Sequence, residues 1–142
     1  MKLLITLPTY NEIDCISEVL CEVRKVMDGI GRDYQIHVQD DGSSDGTIEL
    51  CRRVGCVVNA NKRNLGLAET FRKEMAYCVA TGFDVVIHLD ADGQYPAEYI
   101  PGLIAKIEEG DDLVIGSRFM DGLNYGGSRL KAYGNILFSK FI

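Results

Sequence analysis

The sequence contains no C-x-x-C pair, two histidines, no surplus of basic residues and no long uninterrupted apolar run. Each shortage excludes something. Cys15, Cys21, Cys51, Cys56 and Cys78 are odd in number and fall mostly in apolar patterns, so they read as buried thiols in a reducing cytosol. A structural zinc site needs convergent His or Cys ligands, and His37 and His88 both lie inside expected strands. A formal net charge of −6 lacks the basic face that meets a nucleic-acid backbone, so the expected ligand is small. No stretch approaches membrane-spanning length, and residues 1–7 read as a short strand meeting Pro8, not as a signal peptide.

Familiar phosphate and metal loops are missing too. There is no G-x-G-x-x-G for a dinucleotide, and no Lys follows Gly42 or Gly46 as a P-loop requires. An EF-hand loop starting at Asp41 would place Gly46 correctly, but its twelfth position is Arg52 where a bidentate Glu is needed.

What is present is regular alternation. With 142 residues, 46% of them hydrophobic, the chain is long enough for one domain with a real core. Apolar runs predict strands at residues 3–7, 34–39, 56–59, 85–89 and 112–116. Between them lie helical patterns. The first carries Ile13, Ile16, Val19, Leu20, Val23, Val26, Met27 and Ile30 and ends near Gly29 or Gly31, with Asn11 as its expected cap. The second spans residues 47–54, opened by Asp45 or Ser44. The third shows Leu67, Phe71, Met75 and Cys78 on one face, and the fourth shows Ile100, Leu103, Ile104 and Ile107. Such alternation predicts an α/β fold, a mostly parallel sheet flanked by helices on both faces, with its ligand loops gathered on one rim. The Gly-rich stretch 119–128 reads as a mobile lid, and the apolar-striped helix from Arg129 stops without a cap, so the chain reads as truncated within a helix.

The chain's organising element is the run Val85-Val86-Ile87-His88-Leu89-Asp90-Ala91-Asp92-Gly93-Gln94. Its apolar half reads as a buried strand, and Asp90 and Asp92 emerge at its C-terminal end, where open α/β sheets bind ligands. Extended backbone places residues i and i+2 on one side, and two carboxylates that close repel unless a cation sits between them. Magnesium or manganese suits this arrangement, because each takes one or two protein carboxylates and fills its remaining positions with water and phosphate oxygens. A second acidic loop, Asp40-Asp41-Gly42-Ser43-Ser44-Asp45, follows the second strand. Lys62 and Arg63 form the only basic loop at this end, where a cation could meet phosphate or ribose. On these grounds Asp41→Ala is expected to leave the fold unaltered.

Five motifs in register over residues 7–119 carry a resemblance: Leu-Pro-Thr-Tyr-Asn-Glu, Asp-Asp-Gly-Ser-Ser-Asp-Gly-Thr, Asn-Leu-Gly-Leu-Ala, Leu-Asp-Ala-Asp-Gly-Gln and Gly-Ser-Arg-Phe. Together they resemble the family 2 glycosyltransferases of GT-A fold, nearest to dolichyl-phosphate mannosyltransferase and other polyprenyl-phosphate glycosyltransferases. The resemblance implies that residues 1–118 bind a nucleotide-sugar and that 119–142 begin an acceptor-side loop and helix. It implies that Pro8, Tyr10, Glu12, Asp40 and Asp41 hold the base and ribose. Asp90 and Asp92 would hold the metal, with Gln94 as a further ligand, while Ala91 would touch the donor through its backbone. Arg118 would contact the diphosphate or the acceptor phosphate, which makes Asp92 and Arg118 the expected catalytic pair. Gln39 stands where an apolar residue usually precedes the Asp pair, and the Gly-rich loop lacks the tryptophan often found there. Base, sugar and acceptor stay open.

Residues and resemblance together imply a metal-dependent inverting transfer from GDP-mannose or a UDP-sugar to a polyprenyl or dolichyl phosphate, with Mg2+ or Mn2+ as cofactor. Such an enzyme would be cytoplasmic, at the cytoplasmic face of a membrane, with its C-terminal helix meeting the lipid surface or a second copy. The alternatives are a nucleotidyltransferase, which would want a Gly-rich basic loop in place of residues 8–12; a donor-binding but inactive fragment; and a receiver-type signalling domain, whose acid pair should follow the first strand, where this chain has Pro8.

Overall fold

A computed structural model describes residues 1–117. Arg118 and residues 119–142, with the expected lid, terminal helix and truncation, lie outside the described residues. The chain divides into two units, Met1–Gly102 and Leu103–Ile142. The sheet and every site residue discussed below except Arg118 belong to the first.

Strands β1 (Leu3–Thr9), β2 (Tyr34–Asp40), β3 (Val57–Ala60) and β4 (Val85–His88) form one parallel sheet in the order β3-β2-β1-β4. β1 is the centre. Leu3, Leu4, Ile5 and Leu7 are completely buried, as expected of a strand covered on both faces. Burying each contributes about 1.5–3 kcal/mol.

Helices α1 (Ile16–Ile30), α2 (Thr47–Arg53) and α3 (Leu67–Thr81) connect these strands. Right-handed crossovers put α1 and α2 on one face and, because the chain reverses direction across the sheet after β3, α3 on the other. α1 buries Ile16, Val19, Leu20, Val23 and Met27, the stripe its sequence shows, and it ends at Gly31. Its start differs from expectation. Ile13 lies in a turn before the helix, and the capping position is Cys15, not Asn11.

α3 departs further. Of the expected apolar face Cys78 is buried, but Leu67 is 73% and Phe71 44% exposed, while Thr70 and Glu74 are buried. The reason lies in the sheet beneath. Thr6, Gln35 and His37 face α3, and the helix turns polar groups toward them. Tyr77 stacks on His37 at 3.9 Å with rings 9° apart, and Gln35 Nε2 donates to the Tyr77 hydroxyl at 3.0 Å. His37 Nε2 sits 3.0 Å from Asn59 Nδ2. Burial pushes the His37 imidazole down to about 4, outweighing the upward pull of Glu74.

β4 is an edge strand among the described residues. Ile87 and Leu89 are buried, whereas Val86 and His88 are exposed, so the expected fully buried strand is buried on one face only. After β4 come a single 3-10 turn (Ala97–Tyr99) and α4 (Ile100–Glu108). Residues 112–116 do not form the expected fifth strand. β-branched residues favour strands only where a ladder and a half-buried surface exist to receive them, and here Leu113 and Ile115 are 77% and 78% exposed. Burial also corrects the thiol reading: Cys51, Cys56 and Cys78 are buried, but Cys21 is exposed and Cys15 half-buried.

Candidate nucleotide-sugar site

The C-terminal ends of β1 and β2 are tied together by their loops. Thr9 Oγ1 donates to Asp40 Oδ2 at 3.1 Å, and the Asp41 amide donates to the Thr9 carbonyl at 2.8 Å. Farther out, the Asn11 amide donates to Ser43 Oγ at 2.8 Å and Asn11 Oδ1 accepts from the Ser44 amide at 2.9 Å. The Glu12 and Ile13 amides donate to Thr47 Oγ1 and Asp45 Oδ2, both at 3.0 Å. Asn11 has a φ of 54°, a conformation that Asn tolerates better than most residues. This explains its identity: it bridges two loops and caps no helix. Asp45 serves the second helix as expected, accepting from the Thr47 amide at 3.0 Å.

Asp40 and Asp41 point inward. Asp40 is fully buried; Oδ1 accepts from the Gly42 and Ser43 amides at 2.9 and 2.8 Å, and Oδ2 accepts from Ser43 Oγ at 2.6 Å. Asp41 is only 5% exposed; Oδ1 accepts from Asn61 Nδ2 and the Leu65 amide at 2.8 Å each, and Oδ2 accepts from the Gly66 amide at 2.9 Å. Burial pushes the Asp41 carboxyl up, but donors from Leu65, Asn61, Thr70 and Gly66 together hold it below the usual carboxylate range. Asp41 therefore organises the loop after β3, so it is not the solvated rim carboxylate that its sequence suggests, and its removal is expected to reach the fold.

Gly42 lies where the two loops touch. Its φ is +82°, and a Cβ there would stand 2.6 Å from the Arg63 carbonyl carbon and 2.9 Å from Arg63 Cα. Both are backbone atoms with nowhere to go. Gly42→Ala is therefore expected to cost at least about 2–3 kcal/mol in urea unfolding, through strain plus displacement of the basic loop. Gly29→Ala is the control: nothing lies within 4 Å of its Cβ, and a helical Ala should stabilise by about 0.5–1 kcal/mol.

The basic loop borders an open groove of about 580 Å3 lined by Ala60, Asn61, Lys62, Arg63, Leu65 and Lys73. Lys73 Nζ donates to Asn61 Oδ1 at 2.6 Å. Asn61 thus links Asp41 to a lysine, a role the sequence hides because nothing in its spacing sets Asn61 apart from other loop residues.

At the other side of β1, the Leu89 amide donates to the Thr6 carbonyl at 3.0 Å, and the chain then leaves the sheet. Asp90 is half-buried, Ala91 buried, and Asp92 exposed. The chain turns at residues 91–92, earlier than the strand period assumes, so the two acids share the rim in different surroundings. Asp92 Oδ1 accepts from the Gln94 amide at 2.9 Å, and Gly93, with φ of 74°, completes the turn over Val19. A depression of about 270 Å3 here is lined by Cys15, Glu18, Val19, Glu22, Asp92 and Gly93.

Among the described residues no three His, Cys, Asp or Glu side chains converge to hold a metal by themselves. A half-buried and an exposed carboxylate two residues apart are hard oxygen donors of the kind magnesium or manganese takes when substrate and water complete its shell, and do not make an all-protein cage. Pro8, Tyr10, Glu12, Asp40 and Asp41 thus cluster at the ends of β1 and β2, Arg63 follows β3, and Asp90, Ala91, Asp92 and Gln94 follow β4, all on one rim. Arg118 lies outside the described residues.

A family model described as glycosyl transferase family 2 matches residues 4–138. The chain belongs to that family. It is 34% identical over 127 residues to dolichol-phosphate mannosyltransferase of Pyrococcus furiosus, covering 86% of this chain and 34% of that protein. The chain thus spans about a third of this relative's length. Among solved structures it is similar to mannosyl-3-phosphoglycerate synthase from Rubrobacter xylanophilus, with a TM-score of 0.66, 20% identity and coverage of 78% of this chain and 37% of that one. It is also similar to glucosyl-3-phosphoglycerate synthase from Mycobacterium tuberculosis in complex with Mn2+, UDP and glucosyl-3-phosphoglycerate, with a TM-score of 0.59, 23% identity and coverage of 75% and 39%. At these identities the structures establish the α/β fold of a glycosyltransferase. Family membership sets aside the nucleotidyltransferase and receiver readings.

Proposed function

We propose that the chain binds a nucleotide-sugar, GDP-mannose or a UDP-sugar, and serves its transfer to a polyprenyl phosphate or a related phosphate-bearing acceptor. The observation that carries this reading is the gathering of the acid pair, the clasped loops of β1 and β2 and the basic loop on one rim. Mg2+ or Mn2+ held by Asp90 and Asp92, with Gln94 beside them, would offset the charge of the diphosphate. The manganese and UDP of the glucosyl-3-phosphoglycerate synthase complex support that choice.

In this reading Pro8, Tyr10 and Glu12 meet the base and ribose on the platform that Asp40 and Asp41 hold rigid. Arg63 meets phosphate or ribose, Ala91 meets the donor through its backbone, and Arg118 meets the diphosphate or the acceptor phosphate. The acceptor oxygen attacks the anomeric carbon as its bond to the diphosphate breaks, inverting that centre. A phosphomonoester, with a second pKa of about 6, is already largely ionised, so no general base is required. The work would take place in the cytoplasm at a membrane face; no helix among the described residues is long and apolar enough to cross a membrane.

Calorimetric titration with GDP and UDP, each with Mn2+ or chelator, tests the donor, and a transfer assay offering polyprenyl phosphate or 3-phosphoglycerate tests the acceptor. Metal-dependent binding of one nucleotide is expected. Binding without any transfer would make the chain a donor-binding unit only, and absence of binding would defeat the proposal.

A further inference from the structure

α3 lays an acid against the sheet. Glu74 is fully buried, with Oε1 3.1 Å from His88 Nδ1 and Oε2 without a partner. Removing a carboxylate from water is costly unless its lone pairs are met, and an apolar side chain of similar volume is often neutral or better in such a place. Packing alone does not account for an acid here. Its partner does.

His88 is the last residue of β4 and pairs in register with Thr6. Beyond the Leu89 amide no backbone hydrogen bond among the described residues ties residues 90–93 to the sheet, so His88, next to the buried Leu89, is the last side chain with polar partners on the sheet before the acids. Three groups hold it: Glu74 Oε1, Thr6 Oγ1 at 3.5 Å from Nδ1, and the Phe71 ring, set edge-on with centroids 5.4 Å apart and planes at 87°. Phe71 and Glu74 occupy neighbouring turns of α3, and Asp41 binds the amide of Gly66 just before that helix begins. One helix thus touches both halves of the rim.

We infer that Glu74 is a positioning residue for the acid pair: by holding His88 from the α3 side, it fixes where the chain leaves the sheet and hence where Asp90 stands. The inference rests on reading Asp90 and Asp92 as the donor site. It assigns Glu74 no contact with substrate.

Two substitutions separate positioning from support of the fold. Glu74→Met fills the volume but accepts no hydrogen bond, whereas Glu74→Gln still accepts from His88 Nδ1–H through Oε1. The Met variant is expected to unfold at no lower urea concentration than the wild type, yet to bind GDP or UDP with Mn2+ about tenfold more weakly, as losses behind a metal site do. In metal-free protein its Asp90 and Asp92 amide and carboxyl NMR resonances should shift while those of Leu65 and Gly66 stay. The Gln variant should return both readouts toward wild type. Unmoved Asp90 resonances in a folded Met variant overturn the inference, and so does a Met variant that cannot fold, because Glu74 would then serve the fold alone. If the wild type binds no nucleotide but the Asp90 resonances still move in the Met variant, the positioning stands and the donor-site reading falls.

Discussion

Asp92→Asn should weaken Mn2+-dependent binding of a nucleoside diphosphate by roughly 100-fold, because a single carboxylate holds a hard cation poorly against water. The fold should be untouched. Asp92 is exposed, and its hydrogen bond from the Gln94 amide to Oδ1 can be made equally by an Asn carbonyl. Calorimetry in manganese and in chelator decides the matter: the wild type should lose affinity in chelator, and the variant should already be near that level. Equal wild-type affinity in both conditions would remove the metal from the site.

Asp41→Ala should act on stability first. It removes one acceptor each from the Asn61 amide group and the Leu65 and Gly66 amides; Asn61 keeps Thr70 Oγ1 and Gly66 keeps Asn64 Oδ1, and a hydrogen bond to a charged group contributes about 1.5–3 kcal/mol where it is buried. The Leu65 amide can reach water and the other two donors keep an acceptor, so a total of about 2 kcal/mol is expected in urea unfolding. Acidification supplies a second readout. The folded carboxyl lies below the unfolded one, so its contribution is present above the ordinary carboxylate range and lost as pH falls through the folded value. The gap between wild type and Asp41→Ala should therefore narrow in acid. A gap below about 1 kcal/mol at neutral pH would return Asp41 to the role of an ordinary surface carboxylate.

These two aspartates mark the boundary of what a linear reading could reach. Asp90 and Asp92 were legible because the signal is local: an apolar run ends, and acids follow on the same rim as the other polar loops. Asp41 shows no such signal. An Asp-Asp-Gly-Ser string looks the same whether its carboxylates face solvent or collect amides, and Asp41's amide donors come from Leu65 and Gly66, 24 and 25 residues further along the chain.

The helices show the same division. α1 packs against α2 and the 3-10 turn after β4, and its apolar stripe runs at three- and four-residue steps, so its buried face could be read from spacing alone. α3 could not be read that way, because its partner surface is polar. Glu74 and Thr70 turn inward to meet His88, Asn61 and Asp41, and Leu67 is left outside.

Hydrophobic periodicity and turn residues act between near neighbours, which is why the sequence by itself determined the alternation of four strands and their helices, the end of α1 at glycine, and the rim on which the acids gather. Tertiary structure alone decided which strand lies at the edge, which carboxylates collect loop amides, and whether residues 112–116 pair. Those outcomes depend on hydrogen-bond partners and covering surfaces that distant segments supply only once the chain has folded.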